Sequence, residues 1–72
     1  MILKKDYIYY DETEETYFLV LENNSKKAKD YELFNTHVMN LSGPDAGKTN
    51  NWISDPEVDE IGHKDLYPEY FI

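Results

Sequence analysis

The chain has 72 residues and carries fifteen acidic side chains against seven cationic ones, a formal net charge of −8 at pH 7. It contains no cysteine, which excludes disulfide bridges and thiolate metal sites. All its cations are lysines, and arginine supplies much of the bidentate contact to phosphate and guanine, so direct binding of nucleic acid is not expected.

The length predicts one small acidic domain over residues 1–72, near the lower limit at which a hydrophobic core is stable without help. Seven tyrosines, three phenylalanines and one tryptophan argue against intrinsic disorder. No apolar run approaches the roughly 20 residues of a membrane helix, and residues 1–5 lack the apolar core of a signal peptide. We therefore expect a soluble, cytoplasmic protein with no membrane association.

The first predicted elements are two strands, Ile2–Tyr10 and Thr16–Glu22, that form an antiparallel hairpin. The second strand contains five consecutive apolar residues, which would cover both of its faces, so it belongs in the middle of the fold. Aromatic residues of the first strand, such as Tyr9, are expected to pair with Phe18 or Val20 across the hairpin.

Residues 26–41 fit two structures. Their apolar residues recur at three- and four-residue spacing, which favours a helix, but three lysines fall in its first turn, where cations oppose the helix dipole. We therefore favour a third strand over Asp30–Leu41, kinked near Asn35. A helix over 26–41 is the alternative.

Residues 42–51 predict a polar loop. Within it, Gly43–Thr49 has three residues between the glycines where a phosphate-binding loop needs four, so an ordinary loop is expected. Ser54–Glu57 matches a capping box and predicts a short helix over Asp55–Ile61. The apolar segment Leu66–Ile72 is expected to pack on the core in an extended conformation, or to be held by a partner.

These elements together predict an α+β fold that is predominantly antiparallel β. The expected architecture is a small three-stranded meander with one short C-terminal helix. The alternative architecture is the hairpin plus a helix over 26–41.

No arrangement of side chains indicates an enzyme, a catalytic residue or a metal site. The two histidines, His37 and His63, are far apart in the sequence, and no cysteine assists them. With fifteen carboxylates, some pair will always be close, so carboxylate pairs carry no signal for acid–base catalysis. We expect neither catalytic activity nor a cofactor.

The negative charge lies at the two ends of the sequence, where it alternates with tyrosines. Residues 1–15 carry five acids and two lysines, residues 16–49 carry equal numbers, and residues 50–72 carry six acids and one lysine. Such ends suit a basic partner, because negative charge steers association with a basic cleft and tyrosine supplies contact area. The expected partner-binding residues are the acids and tyrosines of these ends: Asp11, Glu12, Glu14, Glu15, Asp55, Glu57, Asp59, Glu60, Asp65, Glu69, Tyr67 and Tyr70.

The sequence therefore predicts a small acidic binding protein that inhibits or sequesters a nucleic-acid-binding partner by occupying its basic groove. Such a DNA mimic would resemble in type the small inhibitors that phages encode. The partner would be a basic protein, either a nucleic-acid-handling enzyme or a DNA-binding protein. The alternative is a structural or assembly subunit that uses its aromatic C-terminal tail and the hairpin edge for contacts in a homo-oligomer or a larger complex.

Overall fold

The chain folds around an antiparallel sheet in its computed structural model, which describes residues 3–23, 36–52 and 58–71. Within these residues the sheet has five strands in the order β4-β3-β2-β1-β5, and each adjacent pair is antiparallel. The strands, numbered along the chain, are β1 Tyr7–Asp11, β2 Thr16–Asn23, β3 Thr36–Asn40, β4 Thr49–Trp52 and β5 Val58–His63. The antiparallel, β-rich character predicted from the sequence is confirmed.

The strand β2 lies in the middle of the sheet, as its apolar run predicts. Alternate side chains point to opposite faces of a strand, so Phe18 and Val20 face one way and Leu19 the other, and all three are buried. The first face holds the main hydrophobic core, which we call the core face; its buried residues are Leu3, Tyr9, Phe18, Val20, Val38 and Val58. The opposite face buries Leu19 with Ile8, its partner on β1.

The predicted hairpin of β1 and β2 is confirmed, and Tyr9 pairs with Phe18 across it. Their rings stack with centroids 5.8 Å apart. The prediction that the first strand starts at Ile2 is wrong for residues 3–6: the strand begins at Tyr7, because Asp6 adopts a φ of 68°, which interrupts extended backbone, and Ile2 lies outside the described residues. Among the described residues, both strands of the hairpin have a further neighbour, β5 beside β1 and β3 beside β2.

The prediction of a short helix over Asp55–Ile61 is wrong for residues 58–61, which belong to β5; residues 55–57 lie outside the described residues. Val58 explains the preference for a strand: its β-branched side chain is buried in the core, opposite Asp11 of β1. β1 also offers a row of backbone partners to β5, whereas an isolated helix of seven residues is marginal. The prediction of a three-stranded meander is also wrong, because β4 and β5 extend the sheet on its two sides.

The preferred strand over Asp30–Leu41 is confirmed for Thr36–Asn40, which forms β3. Thr36 and Val38 are buried while His37 and Met39 are half-buried, a period of two that a helix would not give. A helix over 26–41 is therefore wrong for these five residues. The kink near Asn35 and the earlier part of the segment lie outside the described residues.

The polar loop predicted over residues 42–51 is shorter than expected. It ends before Thr49, where β4 begins and pairs with Met39 of β3. Two turn hydrogen bonds close the loop: the N–H of Ala46 donates to the Gly43 carbonyl, and the N–H of Lys48 donates to that of Asp45.

The tail after β5 was predicted to be extended, and this prediction is wrong. The tail forms two short 3₁₀ helices, Lys64–Leu66 and Pro68–Phe71. A β-bulge at Ile61 precedes it, because the register with β1 passes from Glu60 directly to Gly62. Gly62 has a φ of 152°, and a Cβ atom there would clash with the ring of Tyr67. The absence of a side chain at Gly62 thus lets the Tyr67 ring lie against the strand, and this contact carries the tail over the face opposite the core face.

Within the described residues, the structure contains no helix long and apolar enough to cross a membrane.

Candidate binding surface

Four tyrosines form a continuous row of ring contacts, which we call the tyrosine row. Tyr10 of β1 lies directly opposite Tyr17 of β2, with ring centroids 4.9 Å apart. The ring of Tyr70 lies 5.0 Å from that of Tyr17, and the ring of Tyr67 lies 6.2 Å from that of Tyr70. The rings meet in tilted or edge-on geometries, which aromatic pairs favour.

Two features determine where the tyrosine row lies: the alternation of side chains along β1 and β2, and the path of the tail across the sheet. Tyr9 and Phe18 point into the core, so their neighbours Tyr10 and Tyr17 point to the opposite face of the sheet. The 3₁₀ helix Pro68–Phe71 crosses that face and brings Tyr70 onto Tyr17. Each of the four tyrosines is half-buried, so each ring is held in place by protein and keeps part of its surface exposed.

Three carboxylates lie near one end of the tyrosine row. Glu12 and Glu15 belong to the turn between β1 and β2, and Asp59 lies directly opposite Tyr10 on β5. Partial burial raises the pKa of Tyr10, and the negative charges of Glu15, Glu12 and Asp59 raise it further. These carboxylates therefore act together on the same phenol.

A fourth carboxylate lies beside the middle of the row. The pKa of Tyr70 is raised first by partial burial and then by its contact with Tyr17, and the exposed carboxylate of Glu69 adds to the effect. We call these four carboxylates the acidic rim: Glu12, Glu15, Asp59 and Glu69. A row of aromatic rings with carboxylates around it can bind cationic side chains, because ring faces and carboxylates both attract positive charge.

Two other acids of the predicted set lie at the same turn but differ in their surroundings. Glu14 is exposed and lines a cleft together with Asp45 of the β3–β4 loop. Asp11 is only 6% exposed, and its Oδ1 accepts hydrogen bonds from the N–H groups of Thr13 (2.9 Å) and Glu14 (3.3 Å). The Asp11 carboxylate therefore shapes the turn from inside and is not part of its outer surface.

Of the remaining predicted acids, Glu60 and Asp65 are described by the structure, and each lies beside a different cationic or ionisable partner. Glu60 pairs with Lys4 at 3.1 Å, and its hydrogen bond and charge raise the pKa of Lys4. Asp65 is exposed and lies near His63, with 3.7 Å between the carboxylate oxygen and Nδ1. Asp55 and Glu57 lie outside the described residues.

The two ends of the central hairpin differ in charge. At the turn end lie the carboxylates of Glu12, Glu14 and Glu15. At the opposite end, which we call the lysine end, Lys64 lies 3.6 Å from Asp6 and its backbone N–H donates to the Asp6 carbonyl, next to Lys4 and Lys5. At the lysine end Lys4 and Lys64 are thus paired with the carboxylates of Glu60 and Asp6, whereas the turn end exposes three carboxylates within four residues.

Tyr10 and Tyr17 were not among the site residues predicted from the sequence. The signal that identifies them is the hairpin register: if Tyr9 pairs with Phe18, then Tyr10 must pair with Tyr17 on the other face. Tyr67 and Tyr70 were predicted, but from their acidic neighbours and not from their contacts with the hairpin.

Among the described residues, no group of three or more His, Asp or Glu side chains is arranged to hold a metal ion. No family model, no curated protein and no solved structure matches this chain. The candidate binding surface is therefore defined by its geometry alone.

Proposed function

We propose that this protein is a small acidic binding protein that occupies the basic groove of a nucleic-acid-binding partner. It would inhibit or sequester that partner as a DNA mimic, with the tyrosine row and the acidic rim as the contact surface. The observation that supports this most directly is the grouping of Glu12, Glu15 and Asp59 around Tyr10.

The proposed surface combines two sources of affinity. Carboxylates on a hairpin turn that is held by two hydrogen bonds to Asp11 attract a basic cleft over a distance and accept hydrogen bonds from its lysines and arginines. Tyrosine rings that are already half-buried lose little conformational freedom on binding, and they offer their faces to the same cations. Binding of this kind is sensitive to salt, because exposed charges are screened.

A matched pair of double variants tests the proposal. Glu12→Gln/Glu15→Gln removes two charges from the acidic rim, and Glu22→Gln/Asp45→Asn removes two exposed charges from elsewhere on the chain. Partners captured from lysate at low salt are identified, and the affinity of the purified partner is then measured for each variant. We expect the rim variant to bind roughly tenfold more weakly or worse at low salt, and the control variant to bind as the parent does.

Competition with duplex DNA completes the test. If the protein occupies a nucleic-acid groove, DNA and the protein displace each other from the partner, and moderate salt weakens both complexes. Equal affinity of the two double variants, or a partner that binds DNA and this protein at the same time, would overturn the proposal.

The assembly alternative is also a proposal, and one observation supports it. Leu66 is 74% exposed and Phe71 is 41% exposed, both in the tail. Large apolar side chains that are exposed on the same short segment are typical of a surface that another chain covers. Contacts of this apolar kind are insensitive to moderate salt, which separates them from binding through the acidic rim.

A further inference from the structure

A groove of about 430 Å³ runs between the sheet and the tail, on the face opposite the core face. Its floor contains Leu19 and Met39, which are cross-strand partners on β2 and β3. The 3₁₀ helices of the tail form its wall, with Pro68 and Phe71 on the apolar side and Lys64 and Asp65 on the charged side.

The tail also carries an apolar projection beside this groove. Leu66 follows Asp65 directly and is 74% exposed, the largest exposure among the large apolar side chains of the described residues. A projection next to a groove of similar chemistry is self-complementary under a two-fold axis, because each copy can offer its projection to the groove of the other.

We propose that a second copy of this chain occupies the groove, with Leu66 of each copy inserted between Phe71 and the Leu19–Met39 floor of the other. This inference deepens the assembly alternative by naming its partner, and it does not depend on a basic partner.

Charge complementarity favours a second copy as the occupant. Lys64 and Asp65 are adjacent, carry opposite charges and both line the groove, so a two-fold axis can place Lys64 of each copy beside Asp65 of the other. Both side chains keep exposed area despite their contacts within the chain, 42% for Lys64 and 78% for Asp65.

The position of the groove also reduces repulsion between two chains of net charge −8. Lys64, which lines the groove, belongs to the lysine end, where the charges of Lys64 and Lys4 are balanced by those of Asp6 and Glu60. A dimer that forms through the groove keeps the turn ends of the two copies, with Glu12, Glu14 and Glu15, far apart. A pairing through the turn ends would bring like charges together and would be opposed.

Sedimentation equilibrium of the full chain over a wide concentration range tests this inference. The matched variants are Leu66→Glu, which adds one charge at the proposed interface, and Thr13→Glu, which adds the same charge at the exposed turn end. We expect the parent chain and Thr13→Glu to form dimers, and Leu66→Glu to weaken dimerisation by on the order of tenfold or more. A chain that stays monomeric throughout, or a dimer that both substitutions weaken equally, would overturn the inference.

A charge exchange adds an independent readout. Lys64→Asp alone places two acids opposite each other across the interface and should weaken the dimer, whereas Lys64→Asp/Asp65→Lys restores opposite charges and should recover it. Failure of the double variant to recover would contradict the two-fold arrangement. Binding of the captured basic partner by the monomeric Leu66→Glu variant is measured in parallel, so loss of the dimer and loss of the proposed function are distinguished.

Discussion

The hydroxyl oxygen of Tyr9 lies 2.9 Å from the backbone nitrogen of Lys4, which donates a hydrogen bond to it. The same tyrosine is 2% exposed, and its ring stacks on Phe18 in the core. Tyr9 therefore joins the segment that precedes β1 to the centre of the sheet, and Leu3 of that segment is buried in the same core.

Two substitutions at Tyr9 separate the ring from the hydroxyl. Tyr9→Ala should lower the free energy of unfolding by about 3–5 kcal/mol, because it leaves a cavity where a large ring was buried. A loss of that size approaches the whole stability of a small domain. Tyr9→Phe keeps the ring and removes the acceptor for the Lys4 N–H, so it should cost about 1–3 kcal/mol. Urea unfolding followed by circular dichroism measures both, and equal losses in the two variants would contradict the dominant role of the ring.

Alkaline pH should destabilise the protein. Burial raises the pKa of Tyr9 above its ordinary value of 10.0, and partial burial also raises the pKa values of Tyr10 and Tyr70. A group whose pKa is raised in the folded state stabilises the fold fully below its unfolded pKa. That stability is lost as the pH rises through the folded pKa. Melting temperature should therefore be flat from neutral pH to about 10 and fall above it.

The Tyr9→Phe variant is the control for this pH dependence, since it removes the buried phenol and leaves the half-buried phenols of the tyrosine row. Its melting temperature should fall less steeply than that of the parent above the ordinary tyrosine pKa. Tyrosinate absorbance, recorded in the same titration, reports how many phenols ionise before unfolding. A parent and variant with identical slopes would show that Tyr9 does not govern the alkaline transition.

Gly62→Ala should destabilise the tail and β5 together. The new Cβ would clash with the ring of Tyr67, and a φ of 152° is strained for any residue with a side chain. We expect a loss of about 1–3 kcal/mol in the free energy of unfolding. The double variant with Tyr67→Ala tells the two causes apart: if the clash dominates, removal of the ring recovers much of the loss, and if the backbone dominates, it does not.

Asp11 should matter for stability and not for partner binding. Asp11→Ala removes the acceptor for two turn N–H groups, at a cost of about 1–3 kcal/mol. Asp11→Asn keeps an acceptor oxygen and should recover most of that stability. Affinity of the Asn variant for the basic partner, measured below its melting temperature, should equal that of the parent; a loss comparable to that of Glu12→Gln/Glu15→Gln would place Asp11 in the contact surface.

The parts of the fold that the sequence predicts well are those in which neighbouring segments pair. The hairpin of β1 and β2 follows from an apolar run, a short charged turn and the alternation of side chains around Phe18. The position of β2 at the centre of the sheet follows from its two apolar faces. Each of these depends on local pattern and on contacts that are close in sequence.

The strand β5 and the conformation of the tail could not be predicted, because distant contacts decide both. Ser54–Glu57 matches a helix start in isolation, yet Val58–His63 pairs with β1, a partner that lies far away in the sequence. The bend of the tail depends on the Tyr67 ring lying against Gly62, which no local pattern reveals. The tyrosine row escaped prediction for a related reason, since Tyr70 reaches Tyr17 only after the tail has folded back over the sheet.

The pairing of β1 with β5 has a consequence for synthesis on the ribosome. β2, β3 and β4 are all translated between these two strands, so β1 keeps an open edge until β5 has emerged. An open strand edge can pair with other nascent chains. A premature stop codon ahead of Val58 would remove β5 and leave the edge of β1 open permanently, so the truncated product should aggregate.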